Sequence, residues 1–276
     1  SAASDVYKRQ QIHSVPLITH EDYRMTRKIA LITGASRGLG KSAALHLAAQ
    51  GVDIIGTYHS AATEAQAVVA QVEALGGRAA MLQLDVSQSG SFDAFVGQIA
   101  TVLKDVFAQQ HFNFLINNAG IGAHASFAET TEEQFDKLVA IHFKAPFFLT
   151  QKLLPLISDG GRIINISSGL ARFSLPGYAA YASMKGAVEV LSRYQAKELG
   201  PRGITVNTLA PGAIATDFSG GAVRDNPQVN AMVADNTALG RAGLPDDIGG
   251  AISSLLADGS NWITGQRIEA SGGMFL

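Results

Sequence analysis

Tyr181-Ala-Ser-Met-Lys185 sets a phenol and an ammonium four residues apart, with the hydroxyl of Ser168 thirteen residues earlier. On a helix, positions i and i+4 share a face, so Lys185 would lie against Tyr181. A tyrosine ordinarily titrates near pH ~10. A neighbouring cation would bring it toward working pH, where it can serve as general acid or base. Such a group can move a proton on or off a carbonyl oxygen. The same spacing also arises in helices that merely pack a ring beside a solvated amine, so its meaning depends on the surrounding chain.

The elements that would position these residues read as a regular alternation. Lys28 to Thr33, Asp53 to Thr57, Ala79 to Leu84, Phe114 to Asn117, Arg162 to Ile166, Thr205 to Leu209 and Arg267 to Glu269 have the apolar character of strands. Between them, Leu39 to Gln50, Thr63 to Leu75, Ser91 to Phe107, Thr131 to Leu154, Ala179 to Leu199 and Pro245 to Leu256 carry apolar residues at helical spacing. Strands that are hydrophobic almost throughout are expected where helices cover both faces of a parallel sheet. The pattern predicts a single doubly wound α/β domain with seven parallel strands. It also predicts a mobile lid at about 215–243, where Gly, Asn and Asp collect after a strand end.

Composition narrows the chemistry. The 276 residues are 47% hydrophobic and 16% charged, with a formal net charge of −2, enough for a sizeable core and without the positive footprint of a nucleic-acid binder. There is no cysteine, which excludes disulfides and thiolate ligands, and the seven histidines lack a metal-binding spacing. No metal is expected. No apolar run reaches the ~18 residues of a membrane span, so the default is a cytoplasmic protein with no membrane partner. Residues 1–24 are polar and unpatterned. Met25 looks like the natural start, and Asp5-Val-Tyr-Lys-Arg-Gln10 resembles the translation of a sequencing-library transposon end. The leader is expected to be disordered or a non-native extension.

Thr33-Gly-Ala-Ser-Arg-Gly-Leu-Gly-Lys-Ser42 joins the first strand to the first helix. It misses a Walker A loop by one residue. Gly34-Ala-Ser36-Arg-Gly38 satisfies Gly-x-Ser-x-Gly, which leaves open a serine esterase using Ser36, although that elbow usually follows several strands. The third possibility is a glycine turn over Gly34, Gly38 and Gly40, which lets the backbone and a helix N-terminus approach a pyrophosphate.

Taken in order, the glycine turn, Leu84-Asp85-Val86, Asn117-Asn-Ala-Gly120, Ser168, Tyr181-x-x-x-Lys185 and Pro211-Gly212 with Thr216 resemble the short-chain dehydrogenase/reductase family. The resemblance is of the kind similar to bacterial 3-oxoacyl-carrier-protein reductases, and runs from Met25 to Leu276. It implies a Rossmann fold. It also implies that Ser168 hydrogen-bonds the substrate oxygen, that Tyr181 delivers the proton, and that Lys185 stabilises the tyrosinate and holds the nicotinamide ribose. Ser167 is the adjacent alternative to Ser168. The resemblance further implies a nucleotide cradle from Gly34, Ser36, Arg37, Gly38, Leu39 and Gly40, with Asp85 and Val86 at the adenine. Asn118, Ala119 and Gly120 would line the adenosine side, and Pro211, Gly212, Ile214 and Thr216 the nicotinamide end.

Cofactor choice turns on the end of the second strand, where NAD-using relatives usually carry an acid. Here it reads Tyr58-His59-Ser60, and with Ser36 and Arg37 these residues suit a 2′-phosphate, which predicts NADP(H). One departure stands out: His142 occupies the place where the family usually has an asparagine that helps position a proton-relay water. A histidine can hydrogen-bond water too, and it ordinarily titrates near pH ~6.5.

The substrate side is expected to include Leu170, Phe173, Leu175, Tyr178, Met184 and Phe218, mostly apolar. The function predicted is NADPH-dependent reduction of a ketone or 3-oxoacyl carbonyl. The same residues would serve an alcohol or sugar-alcohol dehydrogenase running in the oxidative direction. A nucleotide-sensing protein on a retired scaffold would normally have lost Ser168, Tyr181 or Lys185. Relatives usually form homotetramers, with a homodimer as the alternative, by pairing the helices corresponding to Thr131 to Leu154 and Ala179 to Leu199.

Overall fold

Seven short apolar runs become the strands β1 (Ile29–Ile32), β2 (Asp53–Tyr58), β3 (Ala79–Gln83), β4 (Phe112–Asn117), β5 (Ile157–Ile166), β6 (Thr205–Pro211) and β7 (Arg267–Ala270). All pair in parallel in one sheet of order β3-β2-β1-β4-β5-β6-β7. The structure is a computed structural model and describes residues 27–276. The expectation for the leader, residues 1–24, lies outside the described residues.

Successive strand residues point to opposite faces, and the two faces build two cores. Leu31, Ile55, Leu115, Ile163 and Val206 pack with helices α3 (Phe92–Phe107), α5 (Ala145–Leu153) and α6 (Ala179–Leu199). Ile32, Ile54, Ile116, Ile164 and Leu209 pack with α1 (Gly38–Ala49), α2 (Ala62–Ala74) and α9 (Pro245–Leu256). The fold is therefore the doubly wound α/β arrangement expected. Strand order reverses at β1, which pairs with both β2 and β4. In such sheets that reversal opens a crevice at the carboxyl ends of the strands.

Two elements differ from the expectation. β5 starts at Ile157 rather than Arg162, because Phe112 pairs with Ile157 before an irregular register brings Phe114 opposite Arg162. The polar Ser158-Asp-Gly-Gly161 stretch hides that start from an apolar pattern. The single helix expected over Thr131 to Leu154 is divided. It forms α4 (Glu132–Val139), a widened π-type turn over Ala140–Lys144, and α5. Pro146 is the reason: it has no N–H to donate to the carbonyl four residues back, at His142, so the helix loosens there. His142 is carried on that turn.

Residues 215–243 leave the sheet and return at almost the same point. Ala215 N–H donates to the Gly243 carbonyl at 2.9 Å, and Gly243 N–H donates to the Ala213 carbonyl at 3.0 Å. The excursion contains α7 (Ala222–Asp225) and α8 (Pro227–Asp235), and the Asn226 side chain caps α8 by accepting from the Gln228 and Val229 amides. Among the described residues, no helix is long and apolar enough to cross a membrane.

Candidate active site

A cavity of about 720 Å³ runs along the carboxyl ends of the strands. Its lining includes every residue assigned above to catalysis or nucleotide contact except Gly40. It also includes Leu170, Phe173, Leu175, Tyr178 and Phe218, but not Met184. Met184 directly precedes Lys185 on α6, about 100° around the helix from it, so its side chain is directed away from the cavity.

The glycine turn is held by a clamp that spacing alone does not reveal. Gly34 has φ +69°, and a Cβ there would lie 3.0 Å from the Ala119 Cα. The Thr33 hydroxyl accepts from the amides of Asn118 (2.9 Å) and Ala119 (3.0 Å), while Asn118 Nδ2 donates to the carbonyls of Thr33 (2.9 Å) and Gly34 (3.1 Å). The Asn118 side chain thus holds the turn, and what it offers the cavity is chiefly backbone. Gly40 has a packing role: a Cβ there would come within 2.3 Å of the Gly34 carbonyl oxygen. It lets α1 sit close beneath the turn.

Tyr181 and Lys185 share one face of α6 and are both buried, at 7% and 5% exposure. Lys185 Nζ donates to the Ile166 carbonyl at 2.8 Å and lies 5.6 Å from the Tyr181 ring centroid. The expected lowering of the phenol pKa is not realised in this arrangement. Burial raises Tyr181 well above the ordinary tyrosine range, a hydrogen bond from Ser168 works against that rise, and the nearby Tyr178 adds to it. Burial also brings Lys185 down to about 7. Burial dominates both shifts because each charged form loses its water.

The two adjacent serines are told apart by their partners. Ser167 Oγ donates to Glu189 Oε1 at 2.7 Å and approaches the Lys185 carbonyl, so it is committed to α6. The Ser168 hydroxyl faces Tyr181 and accepts from the Leu170 amide at 3.2 Å. Ser36 lines the cavity, but no histidine hydrogen-bonds it among the described residues, so the base an esterase needs is missing.

His142 is 2% exposed, and its ring meets that of Tyr181 edge-on, with centroids 5.1 Å apart. Nε2 lies 2.8 Å from the Ile121 carbonyl oxygen and 3.3 Å from the Ile121 amide nitrogen; the shorter contact is satisfied when Nε2 carries the proton and donates it, while buried Nδ1 has no protein partner. Burial and the charge of Lys185 hold its pKa well below the usual imidazole value, against a smaller opposing effect of the Ile121 bond. It is therefore a neutral imidazole with a free acceptor, rather than a group titrating near its ordinary value.

At the rim, Arg37 and His59, two of the residues assigned to a phosphate, each face a carboxylate. Arg37 NH1 lies 3.8 Å from Asp217, which also pairs with Arg224, and His59 Nε2 lies 3.7 Å from Asp85. Burial raises the Asp85 pKa, but hydrogen bonds from Ser87, with His59 and Lys137 nearby, bring it below the ordinary value. The far end of the cavity is lined by Ile121, Val223, Val229, Met232, Val233 and Met274. None of these stands out in the sequence as a site residue: Ile121 follows β4, Met274 follows β7, and the other four come from the excursion. For those four the signal in the sequence is the break in the α/β rhythm after β6.

The family model described as enoyl-(acyl carrier protein) reductase matches residues 34–275. The hydroxynaphthalene reductase-like protein Arp2 of Metarhizium brunneum is 33% identical over 258 residues, covering 89% of this chain and 94% of that protein. Among solved structures, the reductase LugOII, described as catalysing keto-reduction at C1 in lugdunomycin biosynthesis, has a TM-score of 0.86 at 39% identity. That match covers 92% of this chain and all of the other. The angucycline C-6 ketoreductase LanV, solved with bound NADP, has a TM-score of 0.85 at 36% identity, covering 90% and 95%.

The buried lysine sets a pH signature for the nucleotide-free protein. Its folded pKa, about 7, lies below the ordinary lysine value. Between those two values the unfolded chain holds a proton that the folded chain lacks, so this site's contribution to stability rises with pH across that window. Lys185→Met should therefore raise the melting temperature by several degrees at pH 6, on the order of the effect of a few kcal/mol, and by much less at pH 10. Thermal melts at the two pH values check this; an equal difference at both would contradict it.

Proposed function

We propose, from the premise that this chain belongs to the short-chain dehydrogenase/reductase family, that it is an NADPH-dependent ketoreductase acting on an apolar ketone. The observation that carries this reading is one cavity that holds Tyr181, with Ser168 facing it and buried Lys185 behind it, beside a glycine turn fit for a dinucleotide. The turn meets the fit test through its geometry: a side chain at Gly34 or Gly40 would strike neighbouring backbone. No acid stands in Tyr58-His59-Ser60 to repel a 2′-phosphate, and Arg37, at 67% side-chain exposure, is free to turn from Asp217 toward one. The NADP bound to LanV agrees with this choice.

When bound, the nicotinamide would supply a hydride to the carbonyl carbon. The chain's own residues manage the oxygen. Ser168 donates a hydrogen bond to it, and Tyr181 releases its proton as negative charge develops there. A buried phenol with a raised pKa stays protonated at neutral pH, which suits a general acid in the reductive direction. Lys185, titrating at about 7, stabilises the resulting tyrosinate and can pass a proton on at the same pH. The unpartnered His142 Nδ1 would accept from a relay water, the task that an asparagine performs in relatives.

The apolar far wall and the ketoreductase descriptions of relatives support a flat, apolar ketone over a charged acyl carrier. The excursion over residues 215–243, tied at its base by Ile214 and Gly243, would act as the lid. Exposed Phe147 and Phe148 on α5, with Val190 and Tyr194 on α6, would be covered in a homotetramer or a homodimer.

Three outcomes test this reading. NADPH oxidation with a panel of ketones should be lost by ~10²-fold or more in Tyr181→Phe, the usual scale of a general acid; retention of wild-type rates would refute the proton role. Arg37→Glu should reverse or erase the preference for NADPH over NADH in kcat/KM, and an unchanged ratio would remove Arg37 from phosphate binding. His142→Leu, which removes the acceptor, should lower kcat for ketone reduction by about tenfold or more, whereas His142→Asn, which restores one, should keep most of it. Equal rates in His142→Leu and the wild type would exclude the relay.

A further inference from the structure

The excursion that walls the far end of the cavity does not rest on the sheet alone. The segment after β7 runs beside it as a short antiparallel clasp, in which Thr237 pairs with Met274. Ala238 N–H donates to the Gly273 carbonyl at 3.2 Å, Leu239 N–H to the Gly272 carbonyl at 3.1 Å, and Phe275 N–H to the Asn236 carbonyl at 3.0 Å. Met274 is 2% exposed, lines the cavity, and packs with Val233 and Phe173. The clasp therefore carries one wall residue itself and fixes the end of α8, which carries Val229, Met232 and Val233.

Four residues after Ser168, Arg172 grips this clasp. NH1 donates to the Phe275 carbonyl at 3.0 Å and NH2 to the Met274 carbonyl at 2.8 Å. The same guanidinium makes a two-pronged bond to Glu269 on β7, at 2.8 and 2.7 Å. Glu269 also accepts from Arg267 and Ser271, and Arg172 holds its carboxyl at about 2. Arg267 in turn donates to Glu189 at 2.8 Å and to the Ser168 carbonyl at 3.4 Å. One guanidinium thus joins the catalytic-serine loop, the last strand and the wall-bearing segment. A lysine cannot reproduce this, since its single ammonium lacks the planar fork that meets a carboxylate and two carbonyls at once.

We infer that Arg172, anchored by Glu269, is a positioning residue that sets the distance between the Met274 and α8 wall and the reacting centre at Ser168, and so selects ketones by size. A large flat ketone fills the cavity to that wall, whereas a small one reaches Ser168 and Tyr181 without touching it. The inference rests on the ketoreductase reading, and its test keeps the two apart.

The test compares full-length wild type, Arg172→Lys and Glu269→Gln with cyclohexanone and with 2-tetralone, under saturating NADPH. Amide hydrogen exchange at Ala238 and Leu239 is followed alongside. Both variants should raise KM for 2-tetralone by about tenfold, the scale of one lost apolar pocket contact. The kcat on cyclohexanone should stay within about twofold, and exchange at the two amides should quicken. Two variants guard against one of them failing to fold. Unchanged 2-tetralone KM with unchanged exchange would overturn the inference, as would equal losses on both ketones. If wild type reduces neither ketone, the ketoreductase reading fails instead. Exchange then still decides whether Arg172 holds the wall.

Discussion

An ammonium buried without a carboxylate beside it organises this molecule. Lys185 is anchored by the Ile166 carbonyl at the end of β5, and burial alone brings it into the neutral range. One turn further along α6, Glu189 stands where it could neutralise that charge. It is held away: Ser167 and Arg267 both bond its Oε1. Were Glu189 free to reach Lys185, the lysine would be held in its charged form near neutrality. The Arg267 ion pair and the Ser167 hydrogen bond therefore engage the acid that stands one helical turn from the lysine.

Holding such a group dry requires a rigid support, and the sheet supplies it through buried amides rather than aliphatic packing alone. Asn117 donates to Thr150 on α5 and to Asn165 on β5, and Asn165 donates to Ser192 and Gln195 on α6. This chain joins adjacent strands to the helix that carries Tyr181 and Lys185. A satisfied buried polar network fixes one register where apolar contacts would tolerate several. The Thr33 and Asn118 clamp does the same for the glycine turn, so that turn and the Tyr181 and Lys185 end of the cavity are set by hydrogen bonds on neighbouring strands.

Much of this was legible in the sequence because it depends on short-range spacing. Strand and helix positions follow from apolar periodicity, and a four-residue spacing places Tyr181 over Lys185 whatever the rest of the chain does. What could not be read depends on contacts between distant segments. Arg172 and Met274 lie about a hundred residues apart, and nothing in either neighbourhood announces the other. Met184 and Gly40 do not line the cavity although their chain neighbours do, because proximity in sequence does not fix orientation in space. The break at His142 had a local signal in Pro146, whose missing N–H makes a continuous helix through Thr131 to Leu154 costly.

The cavity consequently has two ends governed by different physics. At the nucleotide end, backbone groups and glycines leave little freedom for variation, since a Cβ at Gly34 or Gly40 meets neighbouring backbone. At the far end, the wall is made of side chains on an excursion anchored at its base and by the clasp, so its shape can change without disturbing Tyr181 and Lys185. The rim charges bridge these halves, because Arg37 faces Asp217 at the foot of the excursion. An anionic ligand that drew Arg37 away would leave Asp217 to Arg224 alone. The exposed pair contributes little in itself, but it lies where nucleotide binding and the position of the wall meet.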